Sequence, residues 1–270
     1  MYNFTFHRPT TVRQAAGLLA KNPEGKLLAG GHSLLPVMKQ RLAQPSALID
    51  LALVEGMAGV ELKGRSVVIG AMTRHADAAN SPVLQQALPG LAMVPNSIGD
   101  PQVRNRGTLG GAIANNDPSA DYPAAVLGLG ATVTTSKRSI PADAFFTGMF
   151  ETALAAGEII TAVSFPVPVA AAYEKFRSPA SRYALVGVFV AKTAAGVRVA
   201  VTGAAPCVFR AKTIEAALSE KFSSQALSSL RFPADGLNTD MHGDADFRAH
   251  LIGVLAKRAV EKALATGGKR

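Results

Sequence analysis

Two places in the chain combine a glycine pair with polar neighbours: Ala29-Gly30-Gly31-His32-Ser33 and Thr108-Leu109-Gly110-Gly111-Ala112. The first follows the apolar run Leu27-Leu28 and precedes a predicted helix beginning near Ser33 or Leu34. In such a setting backbone N–H groups converge on an anion, and the helix start adds partial positive charge. Glycine suits the task because a Cβ would keep the backbone away from a phosphate and because such turns need positive φ. The hydroxyls of Ser33 and Thr108 are further donors. Arg104-Asn105-Arg106 precede the second loop, and Asp117 and Asp121 follow it. Neither loop has the G-x-G-x-x-G spacing or the Gly-Lys-Ser/Thr ending of known nucleotide motifs. Each alone reads as a tight turn; together they leave two readings open, a pyrophosphate cradle or two plain turns.

The elements that must position these loops are read from apolar periodicity. Residues 3–7 look extended, 11–20 helical with Thr10 or Thr11 as N-cap, and 47–51 a buried strand. Residues 1–55 therefore form a small βαβ-type unit. A second unit, 56–170, opens with two strands joined at Lys63-Gly64-Arg65, followed by helices over 73–80 and 82–94. AAVLGLGATVTTS, SIPADAFFTG and EIITAVSFPVP read as strands with a short helix at 141–146. A helix starting near Pro123, capped by Asp117 and Asp121, is a competing reading of that region. Pro166 and Pro168 mark a boundary. Residues 171–270 read as an α+β domain with three antiparallel strands, a helix at TIEAALSEKF and an amphipathic helix over 247–265.

Composition narrows the function. The chain has 270 residues, 48% hydrophobic, with no Trp, so the core is mainly aliphatic. The single cysteine, Cys207, excludes an internal disulfide and any thiolate-only metal or iron–sulfur site in this chain. That favours a reducing compartment. The N-terminus has no signal-peptide pattern and the longest apolar run, near 185–191, is too short for a membrane span, so a cytoplasmic protein is expected. The formal charge of +9 points to an anionic partner. The basic residues are scattered, with small clusters at Lys137-Arg138, Lys257-Arg258 and the tail Lys269-Arg270. They carry no aromatic-rich basic motif, which argues against nucleic acid. His75, His242 and His250 lack metal-ligand spacing and read as structural or exposed, and no Ser/His/Asp or Cys/His set supports hydrolysis.

LLAGGHSLLP (27–36) and IGDPQVRNRGTLGGAIANNDPSAD (98–121), together with GEIITAVSFP (157–166) and YEKFRSPASRYALVGV (173–188), occur in that order along the chain. In this the sequence resembles the FAD-binding medium subunit of the molybdenum hydroxylases, the carbon monoxide dehydrogenase and xanthine dehydrogenase relatives. The resemblance implies an α+β, two-subdomain FAD-binding fold of the PCMH type with a C-terminal α+β domain. It implies an extended FAD gripped by both loops: Leu27, Leu28, Ala29, Gly30, Gly31, His32, Ser33 and Leu34 on one side, Thr108, Leu109, Gly110, Gly111 and Ala112 on the other. The family often has Asn where this chain has Ala112, which leaves Ala112 only its backbone to offer. Asp121 matches a carboxylate on the adenosine ribose, with helix capping as the alternative. Ile98 and Ile160 match apolar positions on the flavin or adenine, with ordinary core as the alternative. Lys175 matches a lysine near the isoalloxazine, with an exposed surface lysine as the alternative, and Tyr183 is a candidate for stacking on the ring.

By the same resemblance the chemistry belongs to FAD, which couples one-electron iron–sulfur clusters to a two-electron acceptor. Molybdopterin and the 2Fe-2S clusters are expected on a large and a small partner subunit, assembled as a dimer of heterotrimers. The acceptor is NAD, a quinone or another carrier. The competing functions are a self-sufficient FAD-dependent oxidoreductase of the same fold and a non-enzymatic nucleotide-binding module. No substrate acid or base is evident to support the first of these.

Overall fold

The computed structural model describes residues 1–267; Lys269 and Arg270 of the basic tail lie outside the described residues. The first elements are Thr5–His7, Val12–Lys21, Lys26–Leu28, Leu34–Lys39 and Ala47–Asp50. The three strands run parallel with Ala47–Asp50 in the middle. Parallel neighbours need a crossover, and the two helices supply it. The first helix begins with a reciprocal cap: Thr11 Oγ1 accepts from the Gln14 amide and Gln14 Oε1 from the Thr10 amide.

A five-stranded antiparallel sheet follows, in the order Val60–Lys63, Ser66–Gly70, Ile160–Pro166, Thr132–Thr135, Ser139–Pro141. Between its second and third strands in sequence the chain leaves the sheet and forms short helices, among them Leu109–Asn115 and Tyr122–Leu129. Every residue of Tyr122–Leu129 is buried. The sequence reading of 124–136 as strand therefore holds only for Thr132–Thr135. A helix apolar on all sides has no 3.6-residue stripe, so periodicity does not separate it from a buried strand.

The three predicted C-terminal strands are Ala170–Arg177, Ala184–Thr193 and Gly196–Thr202, and the two-residue strand Phe209–Arg210 adds a fourth at the edge. Alternation along Ala184–Thr193 sends Val186, Val188 and Val190 toward the helices Lys212–Glu220 and Ala245–Gly267, and Phe189 and Ala191 toward the larger core. Tyr122–Leu129 packs on that second face: a Cβ at Gly128 would lie 2.8 Å from Cδ1 of Phe189. This buried helix thus joins the C-terminal sheet to the loop that precedes it. No helix among the described residues is long and apolar enough to cross a membrane.

The middle sheet is tied at its open end by a buried carboxylate. Glu158 accepts from the Thr135 hydroxyl at 2.6 Å, from Arg138 Nε at 3.0 Å and from the Ala155 amide at 2.8 Å. The Arg138 hydrogen bond leads in holding its pKa down, from an ordinary 4.5 to about 2. Its contribution to stability is therefore full above pH 4.5 and is lost as the pH falls toward 2. Thermal unfolding should show Glu158→Gln melting below the unmodified chain at neutral pH. The gap between the two should close as the pH falls through this window; a constant gap would remove the carboxylate from the account.

Candidate functional site

The two glycine loops meet backbone to backbone. A Cβ at Gly30 would collide with the carbonyl oxygen of Arg106 and lie 2.8 Å from Cα of Gly107. A Cβ at Gly111 would lie 3.5 Å from the Cβ of Ala29, so the loops face each other at a second point. Gly31 adopts φ +77°, a conformation that strains other residues. Gly110 has a different duty: its Cβ would lie 2.6 Å from the Cβ of Ala71, so it allows the helix Leu109–Asn115 to rest on the end of strand Ser66–Gly70.

The loops also differ in what their amides do. In the second, Leu109 donates to Thr73 O, Gly110 to Ala71 O, Gly111 to Thr108 Oγ1 and Ala112 to Thr108 O. These donors are spent inside the protein. Ala112 is therefore left with neither a side-chain nor a free backbone donor. In the first loop the amides of Gly30, Gly31, His32 and Ser33 meet no acceptor among the described residues. Ser33 precedes the helix Leu34–Lys39 without a side-chain cap, so its hydroxyl is free as well. His32 and Ser33 are exposed. Four free amides, a free hydroxyl and nearby Arg104 and Arg106 make a donor set suited to a diphosphate.

Beyond the second loop, Asp117 closes its own turn by accepting from the Ser119 amide at 2.9 Å. Asp121 does not cap the helix that follows it. Its carboxylate is buried, taking the Tyr173 hydroxyl on Oδ1 at 2.6 Å and Lys175 Nζ on Oδ2 at 2.9 Å. The Lys175 side chain is 3% exposed, which overturns its reading as a surface lysine. Burial pushes the Asp121 pKa up, opposed by the Lys175 charge and by hydrogen bonds from Tyr173 and Lys175. The sequence reading placed Asp121 at the adenosine ribose and Lys175 at the flavin ring. The structure brings the two together in one buried ion pair.

Lys175 Nζ also donates to Arg182 O at 3.0 Å, which ties down the segment carrying Tyr183. Tyr183 is 51% exposed, and the charges of Asp117 and Asp121 act on its phenol. Arg104 Nη1 clamps the carbonyls of Ile98 and Gly99 at 3.0 and 3.1 Å. Ile98 is half-buried at this turn. Arg182 Nη1 reaches Gly99 O at 3.4 Å, bringing the two segments together. Ile160 is different: it is buried in the core of the middle sheet. Leu27, Leu28 and Leu34 are half-buried supports of the first loop. The residue that sequence reasoning undervalued is His75, which is buried beside Gly107 with its ring tilted against Tyr122. Its position in Arg74-His75-Ala76, with no partner nearby in sequence, gave no signal of that.

Residues 2–168 match the model of the FAD binding domain in molybdopterin dehydrogenase, and residues 171–263 that of the CO dehydrogenase flavoprotein C-terminal domain. The chain is 37% identical to the carbon monoxide dehydrogenase medium chain of Hydrogenophaga pseudoflava, covering 97% of each. It is 38% identical to the nicotine 6-hydroxylase medium subunit of Paenarthrobacter nicotinovorans, over 94% of this chain and 95% of that one. Among solved structures it superposes on a chain of the H. pseudoflava carbon monoxide dehydrogenase with TM-score 0.88 and 39% identity, covering 98% of both. With the fold, the paired glycine loops and these relatives in agreement, the chain belongs to the FAD-binding medium subunits of the molybdenum hydroxylase family, the carbon monoxide dehydrogenase and xanthine dehydrogenase relatives.

Proposed function

We propose that this chain holds the diphosphate of FAD chiefly on the free amides of Gly30, Gly31, His32 and Ser33. The observation that carries this reading is that those four N–H groups lack acceptors where those of Leu109, Gly110, Gly111 and Ala112 are engaged. The second loop contributes the Thr108 hydroxyl and the wall formed by Gly111. The pair Asp121–Lys175, with Tyr183 and Ile98, stands at the flavin end. Ile160 is left to the core. When bound, FAD supplies exchange between one-electron and two-electron transfer. In this reading electrons enter from 2Fe-2S clusters on a small partner subunit, which receives them from a large molybdopterin subunit. They leave to an external acceptor such as NAD or a quinone, in a cytoplasmic dimer of heterotrimers. The lone Cys207 supports placing the clusters elsewhere, and the relatives named medium chain or medium subunit support the assembly.

Two outcomes follow. The purified chain should bind FAD, and riboflavin should bind at least about tenfold more weakly, because it lacks the group that the amides hold. Equal affinity for the two would contradict the diphosphate grip. Purified from its native cell, the chain should travel with two other polypeptides and with molybdenum and iron. Full turnover by the isolated chain, free of both metals, would instead establish a self-sufficient oxidoreductase.

A further inference from the structure

Behind the seam between the loops lies a layered contact. Gly30 presses on one side of the Arg106–Gly107 backbone. The same backbone meets His75: a Cβ at Gly107 would lie 2.6 Å from its Nε2 and 2.7 Å from its Cδ2. The His75 amide donates to Gly107 O at 2.9 Å, which ties the two residues together through main chain as well. The imidazole is 4% exposed and rests on Tyr122, with ring centroids 5.4 Å apart. Its Nδ1 and the Tyr122 hydroxyl are both buried without partners among the described residues. Native proteins leave few such groups unpaired, and a functional requirement is one of the reasons for keeping them.

We propose that His75 is a positioning residue of the FAD site: its neutral imidazole is the backing against which Gly107 seats the first glycine loop, and so sets the direction of that loop's free amides. The inference rests on the reading of those amides as the diphosphate grip. The charged groups around the ring support a neutral state. His32 from the first loop and Arg104 from the helix Pro101–Arg104 are cationic or potentially so. Tyr122 is an uncharged phenol. On its own helix Asp77 is engaged by Arg74 at 2.7 Å, and the charges acting on the imidazole are those of His32 and Arg104. Burial first, and then the charges of His32 and Arg104, lower its pKa from 6.5 to about 4. A neutral ring can pack on a glycine Cα and a tyrosine without a counter-ion, whereas an imidazolium would introduce an unpaired charge into the seam.

The test is a double-mutant cycle read as FAD affinity of the full chain. Gly107→Ala alone drives a methyl into the imidazole, and His75→Ala alone removes the backing. Each should weaken FAD binding by about tenfold or more. Combined, the methyl takes space that the ring has left, and the double variant should bind more tightly than either single one. Additive losses, in variants whose circular dichroism matches the unmodified chain, would overturn the proposal. If either variant fails to fold, NMR titration of the His75 ring in the unmodified chain decides instead. The proposal expects a ring that stays neutral until the pH falls to about 4, and titration near 6.5 would refute it. Absence of FAD binding by the unmodified chain would count against the proposed function itself, a result distinct from an additive cycle.

Discussion

The site depends on one steric constraint: the polypeptide crosses itself at Gly30 and Gly107 with no space for a side chain on Gly30. The parallel unit at the N-terminus and the antiparallel sheet that follows it are joined there through main chain. Each loop is anchored behind the crossing by its own unit. The second is bonded along residues 71–75 by the Gly110, Leu109 and His75 amide bonds. The first springs from the strand Lys26–Leu28, which is paired to the central strand Ala47–Asp50. Interiors packed to this density transmit small displacements, so loop position is set by glycines that never need to touch a cofactor.

That constraint gives the paired glycine loops unequal roles. The resemblance in sequence implies an FAD gripped by both loops, yet the amides of 109–112 are bonded within the protein while those of 30–33 are not. Backbone N–H groups are obligatory hydrogen-bonding groups, and exposed amides without acceptors are satisfied by solvent or by a ligand. In the first loop four successive amides remain in that condition. In the second the same groups build a helix start, with Thr108 as its N-cap. One loop keeps donors free and the other spends them internally, a difference that lies in hydrogen bonds rather than in residue types.

Much of this was legible in the sequence, for reasons that can be assigned. Thr11 as an N-cap and the long C-terminal helix are local features, and the structure has both. The glycine pairs were visible as places where side chains are excluded, but not what excludes them, because Arg106, Gly107 and Ala71 are contributed by other segments. Lys175 read equally well as surface or site because its partner Asp121 lies 54 residues away. His75 was grouped with structural or exposed histidines for the same reason. Tyr122–Leu129 was ambiguous because complete burial erases periodicity.

The asymmetry between the loops is the central claim, and amide hydrogen exchange with and without FAD measures it residue by residue. The account predicts that Gly30, Gly31, His32 and Ser33 exchange rapidly in the free chain and become protected when FAD binds. Leu109, Gly110, Gly111 and Ala112 should be protected in both states. Protection gained at 109–112 with none at 30–33 would contradict it, and would assign the diphosphate to the other loop.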